Sequence, residues 1–313
     1  MSAEPRSLFR HVAAFTVMAL VALACAPETS ARIGGETRWI DVAKGRLKTQ
    51  VFVSASVNDR PVLVLILHGD IPDPAPDYQY RFAKALTREF PEASERSASL
   101  RASLGDDWDD KDVVAAGILR PGYADPSGDR SSGEMGMAYG DNYTPAVVDA
   151  VATVARHLEA AYNARAVVLV GHSGGGAIVA NVLGRHPGLA DAALLVACVC
   201  DPEAWRARMQ MERPGPIWDR PNPSLIPLSL TSSVAPDTRV RLIVGAEDDV
   251  ALPADSRKYA EALQTRGIDA SLTVVPGLGH NILITPESFR ELGELVRVLG
   301  RGGSPSTQAS EGR

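Results

Sequence analysis

Five short stretches of the chain are almost continuously apolar. They are "PVLVLILHG" (61–69), "VVAAGILRPG" (113–122), "AVVLVGHSG" (166–174), "AALLVACVC" (192–200) and "RVRLIVGAED" (239–248). A strand with one solvated face alternates polar and apolar residues, whereas a strand covered on both faces is apolar throughout. The pattern therefore predicts five strands buried in the middle of a sheet.

Segments with the apolar spacing of a helix separate these strands. They occupy residues 77–90, 143–162, 174–187 and 253–267, and a further one at 286–300 follows a last strand, "ASLTVVPG". Two strands with polar alternation, "TRWIDV" and "KTQVFVSAS", precede the apolar series and suit a sheet edge. Because strands and helices alternate, the sequence predicts an α/β fold with a mostly parallel sheet and helices on both faces.

Two regions match neither a strand nor a helix pattern. Residues 91–112 contain the acidic run "GDDWDDKD", and residues 202–238 are rich in proline. Long excursions between core strands usually lie over the loop end of a sheet. We expect both regions to be irregular and to form walls of a substrate pocket.

Composition limits the classes of function. The chain has 313 residues, of which 45% are hydrophobic and 22% charged, and its formal net charge is −6. This length and composition suit one globular domain, predicted over residues 38–300. There is no cluster of lysine and arginine to attract a phosphate backbone, so nucleic acid is not expected as a partner.

The first residues have the character of an export signal. Basic residues precede "VAAFTVMALVALAC", an apolar run too short to cross a bilayer permanently. We predict a signal peptide over residues 1–24, a linker over 25–37 and a disordered tail over 301–313. "LVALAC" resembles the lipobox of bacterial lipoproteins and "ALA" suits ordinary signal peptidase. The expected locations are therefore a bacterial membrane, through lipidated Cys25, or the periplasm or medium; an uncleaved anchor is the alternative.

The other two cysteines, Cys198 and Cys200, lie two positions apart on a predicted strand. Residues at this spacing on a strand point the same way, but they are about 6.5 to 7 Å apart, at or beyond the usual reach of a disulfide. We expect two buried, unpaired cysteines. A metal or redox pair is the alternative, but the sequence offers no second cluster of ligands to complete it.

A serine lies where one apolar strand turns into a helix. In "GHSGG", Ser173 is flanked by Gly171 and Gly175, and the spacing G-x-S-x-G is that of a sharp strand-to-helix turn that exposes a nucleophilic hydroxyl. The carboxyl ends of parallel strands are also where open sheets bind ligands. Ser173 is the predicted nucleophile; the alternative is a serine that merely caps a helix.

A serine nucleophile needs a base, and His280 is the best candidate. It follows the last strand in a glycine-flanked loop, "VPGLGHNI", from which it can reach over the sheet edge. The turn aims the side chain of His172 away from the serine oxygen, and His68 is expected to shape a loop. The other histidines belong to the signal segment or to helices.

The base needs a carboxylate to orient it. "LIVGAEDDVALP" places Asp248 just past an apolar strand, and it is the first choice. Asp249 is the next choice. Asp201 also ends a strand, but it could instead cap the following segment.

Together these residues resemble the α/β-hydrolase superfamily, with nucleophile, acid and histidine in that family's order. The resemblance spans about Trp39 to Gly300 and implies an eight-stranded sheet whose antiparallel strand falls near the start. It also implies an oxyanion hole formed by the backbone N–H groups of Gly174 and Asp70. The loop "HGDIPDP" departs from the glycine-rich HGGG loop of many lipases and esterases, and Asp70 stands where that loop has its second glycine after the histidine.

The loop over residues 120–144 leaves the same sheet edge and is rich in glycine and small polar residues. Arg120, Tyr123 and Tyr143 are predicted to contact substrate; the alternative is a plain solvent loop held by local turns. The predicted activity is hydrolysis of a carboxylic ester through an acyl-enzyme intermediate, without metal or cofactor. A peptidase or amidase with the same triad and a non-catalytic binding protein are the alternatives, and the oligomeric state is open.

Overall fold

A computed structural model describes residues 34–70, 76–87 and 95–300, except for the side chains of 95–97. The predicted signal peptide, Cys25, most of the predicted linker and the predicted tail lie outside the described residues. Within the described part of the chain, no helix has both the length and the apolar composition that crossing a bilayer requires.

Eight strands of the described chain form one sheet. In chain order they are β1 (Glu36–Val42), β2 (Gly45–Val53), β3 (Val62–Leu67), β4 (Val113–Ile118), β5 (Ala166–His172), β6 (Ala192–Val196), β7 (Arg239–Gly245) and β8 (Ala270–Val275). Their order across the sheet is β1-β2-β4-β3-β5-β6-β7-β8. Strand β2 runs antiparallel to both of its neighbours, β1 and β4, and every other neighbouring pair in this sheet is parallel. The predicted mostly parallel sheet, with its antiparallel strand near the start, is confirmed.

Helices cover both faces of this sheet. They are α1 (Tyr78–Ala85), α2 (Glu95–Ala102), α3 (Pro145–Ala161), α4 (Gly174–Arg185), α5 (Pro202–Glu212), α6 (Pro253–Gln264) and α7 (Pro286–Gly300). Helices α1, α2 and α7 pack together, whereas α3 packs against α4. Every residue of β3, β4, β5 and β6 is buried. This agrees with their continuous apolar runs, because a strand between two helical layers has no solvated face.

The expectation that 91–112 and 202–238 would be irregular is wrong in part. The first region contains α2, and the second contains α5 and a 3-10 segment, Pro227–Ser233. Helix α5 begins where the Asp201 carboxylate accepts a hydrogen bond from the Ala204 N–H (3.0 Å), with Pro202 in the first turn. Few of its residues are buried, so the apolar periodicity is weak and the cap is the main sequence signal.

The expectation of unpaired cysteines is also wrong. Cys198 and Cys200 form a disulfide, with their Cα atoms 5.2 Å apart. Strand β6 ends at Val196, and Ala197 has a φ of 48°, so the chain has left the extended conformation before Cys198. The strand geometry that would have kept the sulfurs apart does not apply here. Both residues are buried, as expected.

Candidate active site

Ser173 lies on a sharp turn between β5 and α4, and its backbone is held in an unusual conformation (φ 54°, ψ −121°). The glycines on either side leave room for this turn. A Cβ on Gly171 would lie 2.4 Å from the Gly175 carbonyl oxygen, and one on Gly175 would lie 2.4 Å from the His68 carbonyl oxygen. The turn therefore requires glycine at both positions and places the serine at the carboxyl edge of the sheet.

The structure brings Ser173, His280 and Asp248 together. His280 Nε2 lies 2.9 Å from Ser173 Oγ, and His280 Nδ1 lies 2.9 Å and 3.1 Å from the two Asp248 carboxylate oxygens. A carboxylate accepts hydrogen bonds, so these partners assign the imidazole proton to Nδ1. Nε2 is then free to accept the serine proton, which is the arrangement of an activated nucleophile.

Asp248 is held on its other side by the chain that follows it. Its side chain is fully buried, and one carboxylate oxygen also accepts from the N–H groups of Val250 (2.9 Å) and Ala251 (2.8 Å). The alternative carboxylates lie elsewhere, because Asp249 is exposed and Asp201 caps α5. The orientation of the Asp248 carboxylate is therefore fixed from both directions.

The loop that carries His280 is pressed against the end of β7. The Glu247 N–H donates to the Leu278 carbonyl (2.9 Å). A Cβ on Gly245 would lie 2.1 Å from the same Leu278 oxygen. The carboxylate and the imidazole are thus brought together by backbone contacts between two loops that are distant in sequence.

The two predicted oxyanion donors lie beside Ser173. Gly174 is the first residue of α4, so its N–H has no partner within the helix. Among the described residues, no acceptor is found for the Asp70 N–H. The Asp70 carboxylate lies so close to Gly174 that a Cβ there would meet its oxygen at 2.5 Å. Negative charge this near the predicted oxyanion position needs compensation.

Arg120 provides that compensation. Its Nη1 donates to Asp70 Oδ1 (2.8 Å), and Tyr143 Oη donates to Asp70 Oδ2 (2.8 Å). Tyr123 places its ring 5.1 Å from the Arg120 guanidinium. Burial opposes the charge on Arg120, but the attractions of Asp70 and the neighbouring tyrosines together exceed this effect, so the pKa of Arg120 is raised. The guanidinium therefore stays charged.

Arg120, Tyr123 and Tyr143 are all 2% exposed or less. The structure brings these three predicted substrate contacts together, but it places them behind Asp70 and not on an open surface. Their contact with substrate stays a prediction. What the structure shows is that they support the Asp70 loop.

Sequence reasoning missed a second set of buried polar groups around Ser173. His172 Nδ1 lies 3.1 Å from Tyr78 Oη, and its Nε2 lies 3.0 Å from the His280 carbonyl oxygen. His68 Nε2 accepts from the Arg120 N–H (3.1 Å), which agrees with the expected role of His68 in shaping a loop. One signal was available: a histidine between an apolar strand and a buried turn must find partners for both ring nitrogens.

Two buried cations tie the loops around the site together. Lys48 of β2 contacts the Asp125 carboxylate (2.5 Å) and the Asp129 carboxylate (2.7 Å), which anchors the loop 120–144 to the sheet. Burial opposes the charge on Lys48, but its hydrogen bonds to the two carboxylates raise its pKa overall.

The second cation, Arg206 of α5, connects that loop with the proline-rich region. Its guanidinium donates to the carbonyls of Tyr139 (2.8 Å), Trp218 (3.1 Å) and Arg220 (3.0 Å). The indole Nε1 of Trp205, one residue earlier, donates to the Val250 carbonyl (2.9 Å) beside the Asp248 turn. Helix α5 is therefore in contact both with the loop 120–144 and with the turn that follows Asp248.

Solved structures that share this fold include a peptidase and two esterases. An acylaminoacyl peptidase from Pyrococcus horikoshii aligns with a TM-score of 0.57 and 12% identity over 85% of this chain and 41% of its own. Est1E from Butyrivibrio proteoclasticus aligns with a TM-score of 0.55 and 11% identity over 85% of this chain and 100% of its own. An esterase from Pyrobaculum calidifontis aligns with a TM-score of 0.59 and 15% identity over 85% of both chains. At these identities the likeness shows the fold alone, which is the α/β-hydrolase fold.

The family is identified from the sequence. The family model described as "Prolyl oligopeptidase family" matches residues 124–295, and the chain belongs to that family. No curated protein matches the sequence. The chain spans less than half the length of the acylaminoacyl peptidase that it resembles.

Proposed function

We propose that this protein hydrolyses small carboxylic esters, with Ser173 as nucleophile, His280 as general base and acid, and Asp248 as the group that orients the imidazole. One observation carries the proposal: a continuous hydrogen-bonded series runs from the Ser173 hydroxyl through both nitrogens of His280 to the buried Asp248 carboxylate. This series supplies the base and the orienting group that a serine needs to act as a nucleophile.

The reaction takes place in two acyl transfers. Ser173 Oγ bonds to the ester carbonyl carbon while its proton passes to His280 Nε2. The tetrahedral oxyanion is stabilised by the Gly174 and Asp70 N–H groups, and it collapses as the bond to the alcohol breaks and His280 returns the proton to the leaving oxygen. Water then repeats these steps on the acyl-serine and releases the acid.

Support for an ester substrate comes from the relatives of full length. The chain matches the whole of Est1E, which has also been solved with ferulic acid bound, and most of the Pyrobaculum calidifontis esterase. A peptide or amide substrate is the second candidate, and the family model favours it. An amide needs the same nucleophile but depends more on protonation of its leaving nitrogen by His280, because an amine is a poorer leaving group than an alcohol.

Two chromogenic substrate series and an active-site probe test the proposal. We expect hydrolysis of short p-nitrophenyl esters to exceed that of aminoacyl p-nitroanilides, and a fluorophosphonate probe to label Ser173. Ser173→Ala should lose both, with a fall in kcat of about 10⁴-fold or more. Ser256→Ala, which alters a buried serine in α6, is the matched control and should retain both. Preferential cleavage of the anilides would favour the peptidase, and full turnover by Ser173→Ala would refute the proposal.

We also propose that the protein acts after export from a bacterial cell. The apolar run before Cys25 supports this, and so does the Cys198–Cys200 disulfide, since disulfides persist mainly in oxidising compartments. Mass spectrometry of the mature N-terminus distinguishes a lipidated Cys25 from ordinary cleavage. A full-length, unprocessed chain would contradict cleavage of the signal.

A further inference from the structure

Tyr78 and His172 form a polar pair directly behind Ser173, in which His172 is buried and Tyr78 is half-buried. Tyr78 begins α1 and His172 ends β5, so the pair joins elements that are far apart in the chain. Their rings meet edge to face, with centroids 5.5 Å apart and planes at 85°. His172 is 6% exposed, so its ring nitrogens depend on the protein for hydrogen bonds.

The partners of this pair fix the direction of each hydrogen bond. His172 Nε2 lies 3.0 Å from the His280 carbonyl oxygen, which can only accept, so Nε2 carries the proton. In a neutral ring Nδ1 is then the acceptor, and the Tyr78 hydroxyl, 3.1 Å away, donates to it. The Tyr78 oxygen in turn accepts from the Gly69 N–H. The series therefore runs from Gly69 through Tyr78 and His172 to the backbone of His280.

The electrostatic surroundings of His172 agree with a neutral ring. Burial is the largest effect, and with the unfavourable proximity of His280 it lowers the pKa of His172 to about 4. A protonated ring would also lose its acceptor at Nδ1, which faces the Tyr78 hydroxyl. The hydrogen-bond series consequently needs the uncharged ring and is present at neutral pH.

The two ends of the series are the two loops that must meet around the nucleophile. One end is the backbone of His280, whose Nε2 contacts Ser173 Oγ. The other end is Gly69, next to the proposed oxyanion donor Asp70; a Cβ on Gly69 would lie 2.8 Å from the Ser173 Cβ. Because the Gly69 N–H is occupied by Tyr78, it is the Asp70 N–H that remains available for an oxyanion.

We propose that Tyr78 and His172 are positioning residues, which hold the His280 loop and the Gly69–Asp70 loop at fixed distances from Ser173. This inference rests on the proposed roles of Ser173 and His280. Neither side chain touches the reacting atoms; both act through backbone groups of the residues that do. A displacement of about 1 Å at a reacting group is enough to reduce a rate by up to about a hundredfold.

Variants of the pair test this role with a readout that packing alone would not change. Tyr78→Phe keeps the ring and removes only the hydroxyl. We expect its kcat for p-nitrophenyl acetate, and its rate constant for fluorophosphonate labelling, to fall at least about tenfold while KM changes less than about twofold. Tyr259→Phe is the matched control, because Tyr259 is fully buried and no described residue bonds to its hydroxyl; it should behave as wild type.

Substitutions at His172 provide a test by rescue. A glutamine amide offers both a donor group and an acceptor group, as the neutral ring does, whereas leucine offers neither. We expect His172→Gln to retain several times more kcat than His172→Leu. Equal kcat in the two variants, or a wild-type rate in Tyr78→Phe, would overturn the positioning role while leaving the proposed function intact. A wild-type protein that is not labelled at Ser173 would overturn both.

A measurement on the unmodified protein removes the dependence on variants that fold poorly. In the ¹⁵N spectrum of the imidazoles at neutral pH, His172 should appear as the neutral ring protonated at Nε2. A neutral ring protonated at Nδ1, or a charged ring, would contradict the directed series and overturn the proposal.

Discussion

The turn around Ser173 and the loop that carries His280 meet at one edge of the sheet, but they are built in different ways. The residues that the turn requires are close together in sequence: Gly171 and Gly175 lie within two residues of the serine. A Cβ on Gly171 would collide with backbone of the turn itself, and one on Gly175 with backbone at the end of β3. The His280 loop is set by contacts from distant parts of the chain, among them the Leu278 carbonyl with Glu247 and the His280 carbonyl with His172.

The comparison shows that a short motif can encode the serine turn, whereas the distance between His280 and Asp248 depends on the assembled fold. The glycines that the turn needs lie within five consecutive residues and can be recognised from the sequence. The distance between imidazole and carboxylate depends on where β7 and β8 end and on how their loops pack. A substitution at the turn should therefore disturb folding, whereas one at the acid should disturb chemistry in an intact fold.

The largest expected effect is at the acid. Asp248→Asn keeps the shape of the side chain but cannot hold the His280 ring with its proton on Nδ1, and we expect kcat to fall by about 10⁴-fold with little change in thermal stability. Turnover of p-nitrophenyl acetate and a melting curve measure the two quantities. Asp249→Asn, at the exposed neighbour, is the control and should be fully active. Loss of activity in Asp249→Asn alone would show that the wrong carboxylate has been assigned.

The second effect is at the turn. Gly175→Ala brings a Cβ against the carbonyl oxygens of His68 and Leu67, at 2.4 Å and 2.7 Å, so either the start of α4 or the end of β3 must move. We expect the free energy of unfolding to fall by about 1–3 kcal/mol. Denaturant unfolding tests this. Gly215→Ala, where no atom lies within 4 Å of the added Cβ, should change stability by less than about 0.5 kcal/mol. A Gly175→Ala protein as stable as Gly215→Ala would show that the turn tolerates a side chain.

The smallest effect concerns His172, which joins the two regions. The pKa of His172 is lowered to about 4 in the folded protein, mainly by burial and then by the proximity of His280. The titratable groups that face its ring are Tyr78, His280 and Asp248. Between about pH 6.5, the ordinary value, and about pH 4, the unfolded chain binds a proton here that the folded chain does not. The stability from this residue is therefore complete above pH ~6.5 and is lost as the pH falls towards ~4.

Urea unfolding of wild type and His172→Gln measures this dependence. From pH ~7.5 to pH ~5 the wild type should lose about 2 kcal/mol more than the variant, in which the titrating group is gone. The same pH dependence in both proteins would assign the effect to other groups, such as buried His68, whose pKa is also lowered, mainly by burial.

The sequence predicted the sheet and the serine turn because both depend on local properties. Buried parallel strands are continuously apolar, and the turn needs glycine at fixed positions. Helix α5 was missed because it buries little, and the disulfide was missed because nothing in "VACVC" reveals that β6 ends at Val196. The need of His172 for hydrogen-bond partners could be predicted, but Tyr78 as that partner could not, since the contact joins positions separated by 94 residues.

Arg206 has a consequence for how substrate preference can change. Its guanidinium donates hydrogen bonds to carbonyls of the loop 120–144 and of the proline-rich region. A change in the backbone of either segment would therefore leave guanidinium N–H groups without an acceptor in a buried position, which is costly. New specificities should therefore arise through exchange of side chains on a conserved main-chain framework, and less readily through insertions in either segment.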